Sequence, residues 1–312
     1  MKILIAGATG LIGEEIVRIA HNRGYVVHYL TTSKDKIEHE NNYKGFYWNP
    51  QKGKIDLDCF NEVDAVINLA GVSISKRWNS MNRKRILNSR IKSIETLDNG
   101  ISKVVNHQIK SFVSASAIGI YPHSFTNYYD EDTKTVDDSF LGEVVAQWEA
   151  TADTLQKHNF SVAKVRTGLV LAPNGGALPK IAKPIRYYGG AIFGDGEQWQ
   201  SWIHITDIAK MYLHIIENGL EGVYNGVAPN PVTNSKLTHE IAEVYKKPLL
   251  LPNIPYQLMK LILGDMAYLL YASQRVSAKK IEETGFNFSY TKSSVALKDV
   301  LNEKSQFREE LA

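Results

Sequence analysis

Short apolar clusters alternate with longer segments of helical period over the first half of the chain. Residues 2–6, 26–30, 65–69, 111–115 and 161–165 are apolar runs of strand length and read as strands buried on both faces. Between them, residues 11–21 build an apolar face, and 79–105 carries Met81, Ile86, Leu87, Ile91, Ile94, Leu97 and Ile101 at three- and four-residue steps. Helical period resumes at 144–155 after a polar loop. Strand, helix and strand repeated in this way predict an α/β fold built on a doubly wound parallel sheet.

Past residue 172 the rhythm changes. Gly175, Gly176, Gly189, Gly190, Gly194 and Gly196 punctuate a loop-rich stretch. Helical segments follow at 205–217, 235–245 and 255–263, each opened by a capping residue or an early proline. The division expected is a first domain over 1–172 and a smaller, mainly helical substrate domain over 173–312, with a strand near 223–227 returning to the main sheet. The apolar tract 256–272 is broken by Gln257, Lys260, Gly264 and Asp265 and is too short for a bilayer, so it reads as a core helix.

Composition narrows the class without naming it. Among 312 residues, 44% are hydrophobic and 22% charged, which excludes a disordered or fibrous chain. The net charge of +3 comes from scattered residues, so neither nucleic acid nor a membrane is expected as partner; a small molecule is, with the oligomeric state open. One cysteine, Cys59, forms no internal disulfide and no Cys-based zinc site. It reads as inert, and the chain as cytoplasmic, since residues 1–6 show no secretion signal. Asp130, Glu131 and Asp132 form an acidic run without metal-ligand partners and read as a solvated turn, so no metal is expected.

The strongest motif is Gly7-Ala8-Thr9-Gly10-Leu11-Ile12-Gly13, which closes the first strand and opens the first helix. At that junction bare backbone can approach a pyrophosphate, whose charge meets the free amides of the helix N-terminus. Gly7, Thr9, Gly10, Leu11, Ile12 and Gly13 are therefore the expected phosphate contacts, against the plainer reading of a tight turn with no ligand. The second strand ends in Thr31-Thr32-Ser33-Lys34, with no carboxylate before Asp35. Hydroxyls and a lysine suit a 2′-phosphate better than a ribose diol, so NADP(H) is expected over NAD(H). A solvated polar turn is the alternative.

The glycine motif, then Asn68-Leu69-Ala70-Gly71, Ser114-Ala115-Ser116 and Tyr121, resembles the extended short-chain dehydrogenase/reductases, whose nucleotide domain is a Rossmann fold. Within them, Arg77-Trp78, the run from Arg166 to Leu171, and Gly194-Asp195-Gly196-Glu197-Gln198-Trp199-Gln200-Ser201-Trp202-Ile203-His204 resemble the atypical "epimerase family" proteins. So does the run from Ala228 to Asn234. Gln274-Arg275-Val276 with Gly285-Phe286 is similar to the C-terminal domain of unknown function those proteins carry. The resemblance implies that Thr31 and Thr32 touch the adenosine side, that Leu69, Ala70 and Gly71 line the cofactor, that Arg90 is a polar contact and that Val170 lies on the nicotinamide side. Relatives usually have arginine where this chain has Thr32, and Lys34 is close enough in sequence to substitute.

The same resemblance exposes a gap. Ordinary members use a serine, a tyrosine and a lysine four residues after the tyrosine, the ammonium lowering the phenol's pKa for proton transfer. Ser116 fits the serine. In a register resting on Glu149, Leu141 and Val145 stand at the other two positions, and neither transfers a proton. The remaining candidates are Tyr121, as a replacement phenol or a core tyrosine, and His204, as an acid or base or as a loop-fixing ring. Gln198, Trp199, Ser201 and Trp202 are expected to line a substrate pocket, in a loop that closes over the nicotinamide. Two readings follow: an NADP(H)-dependent oxidoreductase or epimerase acting on a small polar molecule, and a catalytically idle NADP(H)-binding regulatory or redox-sensing protein.

Overall fold

A computed structural model describes residues 1–302; the last part of the expected 173–312 domain, 303–312, lies outside the described residues. The central sheet has eight strands. In chain order these begin β1 Lys2–Ala6, β2 Val26–Thr31, β3 Tyr43–Asn49, β4 Lys54–Ile55, β5 Ala65–Asn68 and β6 Ser111–Ala117, and the strands Ser161–Thr167 and Gly222–Gly226 complete it. Across the sheet the order is Gly222–Gly226, Ser161–Thr167, β6, β5, β1, β2, β3, β4. β1 pairs in parallel with both β2 and β5, β2 with β3, and β5 with β6, while the short β4 runs antiparallel to β3.

The chain thus steps outward from β1 through β2 to β3, then returns to the opposite side of β1. The strand order reverses between β1 and β5, and the carboxyl ends of strands at such a switch point are where sheets of this kind bind ligands. The inner strands are apolar throughout because helices cover both faces: Ile3, Leu4, Ile5, Val66 and Ile67 are completely buried. Helix α1, Leu11–Asn22, packs inward through Gly13, Ile16, Ile19 and Ala20, at helical spacing. Helix α2, Ser80–Ile101, begins where Asn79 Oδ1 accepts from the amide of Asn82 (2.8 Å), and α3, Phe140–Asp153, begins at Ser139.

β3 is absent from the sequence expectation, and its physical reason is Gly45. A Cβ there would lie 2.6 Å from the Tyr29 ring, whose hydroxyl donates to Lys36 O (2.6 Å) and accepts from Glu38 N (2.8 Å). Glycine weakens the strand signal so that this ring can lie flat against the backbone. Phe46 and Trp48 still alternate inward to join Leu97, Ile101 and Phe112 in one core cluster.

The chain divides into two compact units. The first comprises residues 1–120, 136–166 and 209–224; the second comprises 121–135, 167–208 and 225–312. In the second unit a parallel pair joins Leu169–Leu171 to Trp202–His204, and a separate cluster gathers Leu171, Leu178, Trp202, Leu237, Leu297 and Val300. Helix Tyr256–Leu263 corrects the expectation of a core helix: none of its residues is buried, and Leu261 is 78% exposed. Tyr256, Met259 and Leu263 form a half-buried stripe while Leu258, Leu261 and Ile262 face outward, and no membrane-length apolar helix exists among the described residues. Glu131 corrects the solvated-turn expectation for its own position: its carboxylate accepts from the amide of Asn225 (2.7 Å), and burial raises its pKa.

Candidate functional site

The glycine turn is built from the end of β1. Gly7 has φ of +92°, a left-handed value that favours glycine, and a Cβ on it would lie 3.1 Å from the backbone of Leu69. Gly13 is held by space of a different kind: a Cβ there would stand 2.1 Å from Gly7 O, so the helix could not seat on the turn. Gly10 is less constrained. Its φ is −96°, its amide donates to Gly7 O (3.1 Å), and a Cβ on it would meet that oxygen alone within 4 Å, at 3.3 Å. No side chain caps α1, so the first-turn amides of Leu11, Ile12 and Gly13 keep donors beside open space. An uncapped helix N-terminus behind a bare glycine turn fits a pyrophosphate.

The end of β5 is fixed by side chains. Asn68 is completely buried, donates to Ser93 Oγ (3.1 Å) and accepts from the amide of Ala70 (3.2 Å). Ser89 Oγ accepts from Val72 N (3.1 Å). Against Gly71 lies the half-buried Arg90, whose Nη1 donates to Ile86 O (2.9 Å) and Val72 O (3.3 Å) while its guanidinium covers the Trp148 ring. Desolvation lowers its pKa to about 10, yet it stays cationic at neutral pH, and no carboxylate faces it among the described residues. A partly desolvated cation with only carbonyl partners fits an anionic ligand.

At the end of β2, Thr31 is buried and its Oγ1 accepts from Ser33 N (3.2 Å), bending the chain into a turn where Thr32 and Lys34 are exposed. Ser33 is half-buried, and the Lys34 ammonium lies over the Tyr47 ring of the neighbouring strand. Thr9, Leu69 and Ala70 complete the first unit's share of the expected cofactor residues. Apart from Arg90, which projects from α2, they lie at the carboxyl ends of β1, β2 and β5, in the turns that follow or in the first turn of α1.

Ser116, at the end of β6, is not free to act alone. Its hydroxyl donates to Glu149 Oε1 (2.5 Å), and the same carboxylate takes a two-pronged grip from Arg166, through Nε and Nη2 at 2.8 Å each. All three are buried, so the charges compensate each other and hold β6 to α3. The triple contact was invisible in sequence because its members are 33 and 17 residues from Glu149. Leu141 packs on Gly119, and Val145 is buried. Cys59 is buried and its thiol pKa is pushed up, which suppresses the reactive thiolate.

The second unit holds the other expected residues, and their polar atoms are spent on scaffold contacts. Tyr121 is buried, donates to Asn225 Oδ1 (2.8 Å) and lies parallel to Tyr129. Gln198 donates to Phe193 O and Leu270 O; Ser201 donates to Gln274 O (2.8 Å) and accepts from Val276 N (3.0 Å); Trp202 donates to Asn230 O (2.9 Å). His204 stacks on Tyr290, faces Asp299 through Nε2 (3.1 Å) and accepts from Thr206 N through Nδ1 (3.1 Å). Val170 is half-buried in its strand, opposite Ile203. Trp199 alone of the tryptophan pair keeps an open face, with Nε1 donating to Phe125 O (3.1 Å). No cluster of three His, Cys, Asp or Glu side chains suited to a metal occurs among the described residues.

Comparison with known proteins agrees with this architecture. Residues 3–226 match the NAD dependent epimerase/dehydratase family, and residues 254–300 match a domain of unknown function, DUF1731. An epimerase family protein of Staphylococcus aureus strain MRSA252 is 34% identical, covering 96% of this chain and 99% of its own; one from Bacillus subtilis strain 168 is 32% identical over 97% and 99%. Among solved structures, a human epimerase family protein crystallised with NADPH superposes with a TM-score of 0.84 at 29% identity, covering 96% of this chain and 99% of that one. A Bacillus cereus UDP-glucuronic acid 4-epimerase, at 16% identity and a TM-score of 0.76 over 98% and 100%, shares the fold. The chain belongs to the NAD dependent epimerase/dehydratase family and carries its NAD(P)-binding Rossmann fold.

Proposed function

We infer that the protein is an NADP(H)-binding oxidoreductase or epimerase that acts on a small polar molecule without a tyrosine–lysine pair. The observation that carries the cofactor is the glycine turn ahead of α1, where Gly10 keeps ordinary backbone angles, no side chain caps the helix and backbone would meet a pyrophosphate. Arg90, desolvated without an anion, and the carboxylate-free end of β2 support the phosphorylated form, as does the NADPH held by the human relative. Thr31 and Ser33 shape the turn, while Thr32 and Lys34 offer a hydroxyl and a cation to a 2′-phosphate.

When bound, the nicotinamide supplies the hydride chemistry. The chain's part is orientation: Leu69, Ala70 and Gly71 form a wall kept rigid by Asn68 and Ser89. Ser116 cannot pass its proton onward without breaking its bond to Glu149, which makes it a positioning residue for α3. That same commitment favours the second reading, an idle cofactor-binding regulator, because Leu141 and Val145 offer no proton donor at those two positions.

Calorimetric titration tests the cofactor: NADPH should bind at least about tenfold tighter than NADH, a difference of about 1.4 kcal/mol. Equal affinities would overturn the preference. A panel of aldehydes, ketones and quinones mixed with NADPH separates the two readings, since oxidation of NADPH supports the enzyme and its absence across the panel supports the regulator.

A further inference from the structure

The second unit carries a cation flanked by two aromatic rings, whose charge is met by no acid among the described residues. Arg275 opens the short strand Arg275–Val276, which pairs in parallel with Tyr128–Tyr129, so Arg275 sits directly opposite Tyr128. Its guanidinium carbon lies 5.1 Å from the centre of the Tyr128 ring and 4.5 Å from that of Trp199. Trp199 is itself pinned: its amide donates to Ser273 Oγ, its carbonyl accepts from Gln274 N, and its indole donates to Phe125 O. Arg275 is nonetheless exposed, and no carboxylate lies within ion-pair distance of it among the described residues.

Ring contacts occupy the faces of a guanidinium and leave its N–H edge to water or a ligand. An ordinary surface arginine loses considerable rotamer freedom when it grips a ligand; here two aromatic rings have already restricted it. Tyr128 is 52% and Phe125 47% exposed, so the cation is set among solvent-facing aromatic surface, the mixture of apolar wall and single polar handle found in small-ligand sites.

We propose that Arg275, held between Tyr128 and Trp199, is an anion-binding site that takes the carboxylate or phosphoryl group of the protein's second ligand. The proposal rests on the epimerase-like reading above, since it names the chemical class of the molecule that accompanies the cofactor. The planar fork of Arg275 matches two oxygens of either group, and the flanking rings suit an apolar or sugar-like body attached to it.

The test follows the arginine side-chain Nε–H signals of the ¹⁵N-labelled full chain by NMR, assigned by Arg275→Lys. Inorganic phosphate, succinate and neutral succinamide are titrated separately. A saturable shift of the Arg275 signal with phosphate or succinate, but not with succinamide, supports the site, and which of the two anions binds tighter names its ligand class. Arg275→Lys, which keeps charge but not the fork, should weaken that anion by about tenfold, and Arg275→Gln should remove binding. Both should leave NADPH affinity within about twofold of the parent, since Arg275 lies outside the glycine turn. No shift with either anion, or an equal shift with succinamide, overturns the proposal. Failure of NADPH to bind the parent chain would instead overturn the cofactor reading, and the two failures are read from separate titrations.

Discussion

The turn from Gly7 to Gly13 and the run from Gln198 to His204 are both dense in backbone punctuation and polar groups, yet they treat those groups in opposite ways. In the turn, donors are left over: first-turn amides without a side-chain cap, and nearby Arg90 without an anion. In the 198–204 run, Gln198, Ser201, Trp202 and His204 have each found partners in their own unit. A ligand site is marked by donors and acceptors the fold has not consumed, whereas a scaffold is marked by their satisfaction. Polar composition alone does not separate the two.

The largest effect expected from this contrast is at Gly10. Gly10→Asp should abolish NADPH binding, by more than about a hundredfold or roughly 2.7 kcal/mol, because a carboxylate would occupy the phosphate position. Its stability should stay near that of the parent, since aspartate is a good residue ahead of a helix and Gly10 has ordinary backbone angles. Gly13→Ala should behave differently, losing about 1–3 kcal/mol of stability or more through its clash with Gly7 O. Calorimetry with NADPH beside urea unfolding checks the pair; unchanged NADPH affinity in Gly10→Asp would reduce the turn to scaffolding.

Ser201→Ala should show the reverse signature. It strands Val276 N–H and Gln274 C=O in the interior, at about 1–3 kcal/mol, and should leave NADPH affinity untouched. Full stability together with an altered response to a second ligand would contradict the scaffold assignment of that run.

The smallest effect concerns His28, buried on β2 with Nδ1 bonded to Cys59 O (2.8 Å). Burial lowers its pKa below the ordinary 6.5, so the unfolded chain takes up the proton more readily than the folded one. The stabilisation is therefore complete above about pH 6.5 and is lost as pH falls from there through the folded-state value. A Tm measured between about pH 7.5 and 5.5 should fall slightly more for the parent than for His28→Gln. Equal slopes would remove His28 from the account.

Much of the first unit was legible because its signals are local. The strands 2–6 and 161–165 were read within two residues of their observed ends, and the helix 205–217 coincides with Ile205–Glu217. Burial on both faces writes continuous apolar runs, and helical packing writes three- and four-residue steps. β3 escaped because Gly45 answers to Tyr29, a residue on another strand. Helix Tyr256–Leu263 was misjudged because periodicity reports how apolar a segment is, not whether anything packs upon it.

By itself the sequence determined the α/β class, the glycine turn ahead of α1 and the carboxylate-free end of β2, all readable within a few neighbouring positions. Only the tertiary structure decided how polar side chains are used. Ser116 and Arg166 both meet Glu149, Ser201 meets Gln274 and Val276, and Arg275 meets two rings and no described acid, across separations of 17 to 75 residues in the bonded cases. A hydrogen bond is satisfied by geometry over about 3 Å, and that distance has no counterpart along the chain until the fold brings the partners together.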